Sequence, residues 1–285
     1  MKALGHVVLQ NFASDRIVLD WLLDQGVDIN RTDCRRLDCG SHLAEDEYDD
    51  SLHVLNQVAA NGDIILLRYL VARGADLTKS VALHAVSRCH DLAASLPMLS
   101  YLLDEQHLDI DTDNDEFRYL NNNHEKDIGT PLCLAIYERN LPVALELIAR
   151  GANVHKFGGR GCEPVKKAIG ETRDLENGCL LPVIRPLIAA GVDASYAMEH
   201  AIIVLRLEPA KLLLQCGADP VTGLREALEQ DVEIRRKGSR AMRERSQAMV
   251  RLLEHWVEKG PEGSRQTKPR SLFGHATRKG PYYPE

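Results

Sequence analysis

One recurring interval limits what this chain can fold into. The stretches HVLNQVAANGDIILLRYLVARGADL (53–77), TPLCLAIYERNLPVALELIARGANV (130–154) and YAMEHAIIVLRLEPAKLLLQCGADP (196–220) superpose without a gap. In each, 12 residues separate a turn position from a terminal glycine: Gly62 to Gly74, Arg139 to Gly151, Leu205 to Gly217. Within 130–154, Thr130 can cap a helix whose first position is Pro131, where a missing N–H costs nothing. Leu132, Ala135 and Ile136 then share one face, and Leu145, Ile148 and Ala149 line a second helix that Gly151 stops in the left-handed conformation. Each helix has under three turns, too few to be stable alone in water, so the pair must borrow its core from neighbours.

Four weaker copies fit once insertions are allowed. Residues 6–30 end at Gly26; residues 81–106 have lost the glycine; residues 163–193 carry extra residues before their second helix; residues 222–260 carry a larger insertion between helices. The opening T-P-L-x-x-A of Thr130, Pro131, Leu132 and Ala135 resembles that of the ankyrin repeat. So does the close formed by Leu70, Gly74, Ala75 and Asp76, and again by Leu214, Gly217, Ala218 and Asp219. The His of the ankyrin opening is replaced by Asn56, Cys133 and Glu199, so the copies are degenerate. The resemblance implies an all-α, ankyrin-like helix-turn-helix solenoid with short hairpin loops over residues 1–260. Its units are about 4–30, 51–78, 80–111, 129–155, 162–195, 196–220 and 221–260, followed by a flexible basic tail, 261–285. It also implies a protein-binding scaffold or adaptor, with the hairpin loops and the concave face as the binding surface.

Composition agrees with helices: 44% of residues are hydrophobic but only 5% aromatic. Residues 1–205 carry 19 Lys and Arg against 31 Asp and Glu, and residues 206–285 carry 16 against 11. An acidic body argues against the whole molecule binding nucleic acid. The seven cysteines are odd in number and mostly scattered in apolar patterns. MKALGHVVLQ lacks a sustained apolar run, and no stretch reaches the ~18 apolar residues of a membrane span. The expectation is a reduced, soluble, intracellular chain, cytoplasmic or nuclear, with no membrane partner.

Candidate binding residues fall in two long loops. The first holds Glu45, Asp46, Glu47, Asp49 and Asp50 around Tyr48; the second holds Asp111, Asp113, Asp115 and Glu116 before Arg118 and Tyr119. Both follow a unit's second helix, so two acidic fingers on one edge are expected to receive a basic protein. The alternating acids of 109–116 suggest calcium, but Asn114 and Leu120 stand where an EF-hand needs Gly and Glu. Cys34, Cys39, His42 and His53 have a spacing too loose for a zinc site. No metal and no cofactor are therefore expected.

Two alternatives stand beside the scaffold. An enzyme would use a groove of His155, Arg160, Lys166, Lys167, Glu199 and His200 on a small anionic molecule, although no G-x-S-x-G, P-loop, dinucleotide or H-E-x-x-H motif is present. A nucleic-acid module would use the basic segment 235–245, whose Arg235, Arg236, Lys237, Arg240, Arg243 and Arg245 lack interleaved aromatics. Self-association through the first unit, around Val7, Val8 and Trp21, is a further expectation, because that unit has no polar cap.

Overall fold

The computed structural model describes residues 16–30, 53–89, 91–113, 129–156, 163–170 and 179–260, and every regular element among them is helical. In order these are α1 (Arg16–Asp24), α2 (His53–Ala60), α3 (Ile64–Ala72), α4 (Ala82–Ala85), α5 (Leu92–Ser100), α6 (Pro131–Tyr137) and α7 (Leu141–Ala149). They continue as α8 (Pro164–Ile169), α9 (Leu181–Ala189), α10 (Ala194–Ile203), α11 (Leu207–Gln215), α12 (Pro220–Lys237) and α13 (Arg240–Lys259). Two layers result. First helices α2, α4, α6, α8, α10 and α12 each pack on the next, as do second helices α5, α7, α9, α11 and α13. One apolar cluster runs through the stack from Leu19 to Leu253, with Leu70, Leu102, Leu132, Leu147 and Leu213 fully buried along it.

Local chemistry sets the helix boundaries. Thr130 accepts from the Cys133 N–H (3.3 Å) at the start of α6. Asp63, Asp91 and Asn140 cap α3, α5 and α7 by accepting from the N–H groups of Leu66, Ala93 and Val143. The three aligned turn positions are all left-handed: Gly62 at φ +72°, Arg139 at +59° and Leu205 at +55°. In the unit that lacks the stop glycine, α5 runs into a π-helical turn (Tyr101–Glu105), and His107 takes the left-handed role at φ +54°. Leu108 N–H reaches Leu102 O, where the regular close has Ala75 N–H on Leu70 O. One extra residue is thus absorbed in a wider turn.

Gly62 and Gly151 separate two demands on a glycine. At Gly151 (φ +86°) a Cβ would meet nothing within 4 Å, whereas at Gly62 it would lie 2.6 Å from Ala94 Cβ and 3.0 Å from Cys89 Sγ. Gly151→Ala is therefore expected to cost about 1 kcal/mol in denaturant unfolding, from backbone strain alone. Gly62→Ala should cost clearly more, since packed neighbours must also move. Equal costs would contradict this turn register.

The loops after the second helices are tied to one another. Asp28, Asp76, Asp109, Asn153, Asp193 and Asp219 each accept from the N–H two residues on, at 2.8–3.0 Å. Asn30 accepts from the Asp76 N–H (2.7 Å), Asp111 from the Asn153 N–H (2.8 Å) and Ser195 from the Asp219 N–H (3.0 Å). On the opposite layer, Arg73 reaches Asp20 and Asp24, and Arg150 reaches Asp104.

The last pair is the longest, at 18 and 20 residues. The expected insertion between its helices is itself helical, so the basic run 235–245 forms the end of α12 and the start of α13 around Gly238 and Ser239. Buried Asp231 ties the two helices, accepting from Ser246 Oγ (2.7 Å) and pairing with Arg235 (2.6 Å). The start of the first unit, with Val7 and Val8, and the tail 261–285 lie outside the described residues; Trp21 is exposed on α1.

Candidate binding face on the first helices

Counting seven residues back from the second-helix caps Asp63, Asp91, Asn140 and Arg206 gives Asn56, His84, Cys133 and Glu199. A histidine therefore does stand in the register where the sequence comparison found none. The side chains at this position reach toward the next unit. Asn56 accepts from the Val81 N–H (2.9 Å), His84 Nε2 lies 2.7 Å from Gly129 O, and Cys133 Sγ lies 3.8 Å from Lys156 O. His84 is buried, and desolvation lowers its pKa from 6.5 to about 4 against the opposing Gly129 hydrogen bond; Arg88 and Lys156 push the same way as burial.

In α8 the same position is Lys166, three residues after the cap residue Glu163 as Cys133 is three after Thr130. Here the face turns from internal tie to open surface. Lys166 Nζ sits 4.8 Å from the centre of the Tyr196 ring of α10 and 3.8 Å from Glu163, while the Tyr196 hydroxyl donates to Glu163 (2.8 Å). Tyr196 and then Glu163 and Glu199 raise the Lys166 pKa, holding the ammonium charged. Lys167 lies 5.4 Å over the Tyr137 ring of α6. Both rings stay open to solvent, Tyr137 at 46% and Tyr196 at 38%, and Ile203 on α10 is 53% exposed. Beyond them, burial and then the charge of Glu199 push the Glu226 carboxyl of α12 up. Gln230, one turn further on, donates to Ile203 O (2.9 Å). Two lysine-covered tyrosines, an apolar side chain and two electrostatically coupled carboxylates thus occupy neighbouring first helices.

Of the groove residues expected from sequence, Lys166, Lys167 and Glu199 belong to this face, and His200 follows Glu199 in α10. His155 lies in the row of loops, its Nε2 3.8 Å from where a Gly191 Cβ would be. Arg160 lies outside the described residues. So do Glu45, Asp46, Glu47, Tyr48, Asp49, Asp50, Asp115, Glu116, Arg118 and Tyr119. Asp113 is half-buried. The Asp111 carboxylate is engaged with the Asn153 N–H, and its carbonyl accepts from Lys156 Nζ (2.5 Å). Asp111 is thus a tie between loops.

Cys34, Cys39 and His42 lie outside the described residues; among those described, no cluster of three or more His, Cys, Asp or Glu is arranged to hold a metal ion. The thiols of Cys89, Cys179 and Cys216 are pushed up by burial, so these cysteines stay protonated and behave as small apolar groups. Tyr137, Tyr196 and Glu226 were not anticipated from sequence. Tyr137 and Lys167 lie thirty positions apart, and only the stacking of α6 on α8 unites them.

No family model and no curated protein matches the chain. Among solved structures, it is similar to a chain of the Bd0816 predatory endopeptidase from Bdellovibrio bacteriovorus in complex with immunity protein Bd3460, at 20% identity. That match covers 63% of this chain and 92% of the other, with a TM-score of 0.40. A likeness at this level says nothing about activity. No helix among the described residues is long and apolar enough to cross a membrane.

Proposed function

We propose that the chain is an ankyrin-like repeat scaffold that holds a protein partner on the face of its first helices. The observation that carries this reading is the pair of half-open tyrosines on α6 and α10, each under a lysine of α8, the helix that lies between them in the stack. Tyrosine supplies large contact area at low conformational cost, and such rings dominate many interfaces. The regular caps, left-handed turns and loop-to-loop hydrogen bonds support the ankyrin-like part, because they hold those rings on a stiff frame. The partner that fits is a basic protein segment with an apolar side chain for Tyr137, Tyr196 and Ile203 and a cation for Glu199 and Glu226.

The test is a capture experiment with three forms of the intact chain: unaltered, with Tyr137→Ala and Tyr196→Ala together, and with the acids of 45–50 replaced by Asn or Gln. Asp111 is left in place because it bonds to Asn153. A partner lost with the tyrosines and weakened by salt is expected. A partner that ignores the tyrosines but needs the acids of 45–50 would move the interface to that loop and overturn the reading.

A further inference from the structure

Among the described residues, the last helix pair has an unusual outer side on α12. On α12, Val221, Arg225, Leu228, Val232 and Arg235 recur at alternating four- and three-residue spacing, which puts them on one stripe. Val221 is 62% exposed, Leu228 46% and Val232 51%. The stripe points away from the rest of the fold. Gln230, two and a half turns from Val221, donates to Ile203 O of α10. Gly223, Ala227, Asp231 and Ile234 are buried, and a Cβ at Gly223 would touch Met198 and Ile202 of α10 and Leu253 of α13. The open side is therefore where a further helix pair would stack. A terminal unit normally covers that side with polar residues. The companion helix α13 does so: Glu244, Gln247, Arg251, Glu254 and Glu258 are exposed.

We infer that this stripe is an end-to-end dimer contact, two copies of α12 packing antiparallel about a two-fold axis near Leu228. The stripe itself carries two arginines, Arg225 and Arg235, and Glu229 on its flank supplies the opposite charge in that arrangement. A two-fold through Leu228 sets Val221 of one copy near Arg235 of the other, Arg225 near Val232, and Leu228 on itself. Arg225 then lies within a turn of Glu229 of the other copy, and the relation occurs twice. Among the described residues neither Arg225 nor Glu229 closes an ion pair, although Arg225 lies near Asp219 and Glu226 of its own chain. Arg235 already pairs with Asp231, which offsets its charge at the rim. α12 is about 27 Å long, from 18 residues at ~1.5 Å each. Such a contact is small beside a standard interface, so the dimer forms at high protein concentration. This contact is separate from the tyrosine face and does not depend on it.

Sedimentation of the full chain over a concentration series reaching the high-micromolar range tests the inference. A reversible monomer–dimer equilibrium is expected, weakened at least ~10-fold by Leu228→Glu or Val232→Glu. Arg225→Glu and Glu229→Arg should each weaken it, and the two together should restore it, because the exchange returns opposite charges to both sites of the two-fold pairing. Circular dichroism checks that these exposed substitutions leave the helices intact. A monomer at every concentration overturns the inference and leaves the stripe to residues 261–285 or to a different protein. A dimer indifferent to Leu228→Glu and Val232→Glu also overturns it, and would direct attention to the exposed Trp21 and Ile17 of α1.

Discussion

Between pH 6.5 and 4 the fold should lose about 3 kcal/mol of stability through His84. Its side chain is buried beside Gly129 O, and desolvation sets its pKa near 4 in the folded chain, against 6.5 when unfolded. In that window the unfolded chain binds a proton that the folded chain refuses. The contribution is therefore complete above pH 6.5, shrinks as pH falls, and is gone below about 4. Carboxylates titrate nearby, so the measurement is a difference: denaturant unfolding of the chain and of His84→Asn at pH 7, 5.5 and 4. Asparagine is the natural replacement, since Asn56 holds the same register position and bonds to the next loop. His84→Asn should be less stable at pH 7 and lose about 3 kcal/mol less on acidification. Parallel pH profiles would show that His84 is neither buried nor neutral.

Leu132→Ala and Leu147→Ala should each cost about 2–4 kcal/mol. Both side chains are fully buried between helix pairs, so truncation leaves a cavity that the neighbouring pairs cannot both close. Leu228→Ala, on the exposed stripe of α12, should stay within ~0.5 kcal/mol at dilute protein. Urea unfolding of the three variants decides the matter. Similar losses at all three would contradict the two-layer stack.

The helix pairs were legible because short-range rules fix them. The 12-residue interval, Thr130 with Pro131, and the left-handed stops all act within one unit, where a single sequence shows them. His84 escaped because its unit has His90 and Asp91 where its neighbours have Gly62 and Asp63 or Arg139 and Asn140, and only the cap at Asp91 reveals the register. The candidate face on the first helices was half legible, as part of the groove expected for a small anionic molecule. Lys166, Lys167 and Glu199 carry visible charge, but the tyrosines beneath the lysines come from helices distant in sequence and meet only by stacking. Asp111 shows the converse: an acid that suggests a free loop in sequence is occupied by the next loop's N–H.

The most direct test of the binding face is cross-linking from defined positions. A photo-reactive side chain is placed at position 137 or 196, and as a control at Gln247, exposed on α13. The chain is then irradiated in extract of its source cells. The account predicts one discrete protein adduct shared by positions 137 and 196 and absent at 247. An adduct at 247 but at neither tyrosine position, or equal labelling from all three, would contradict it.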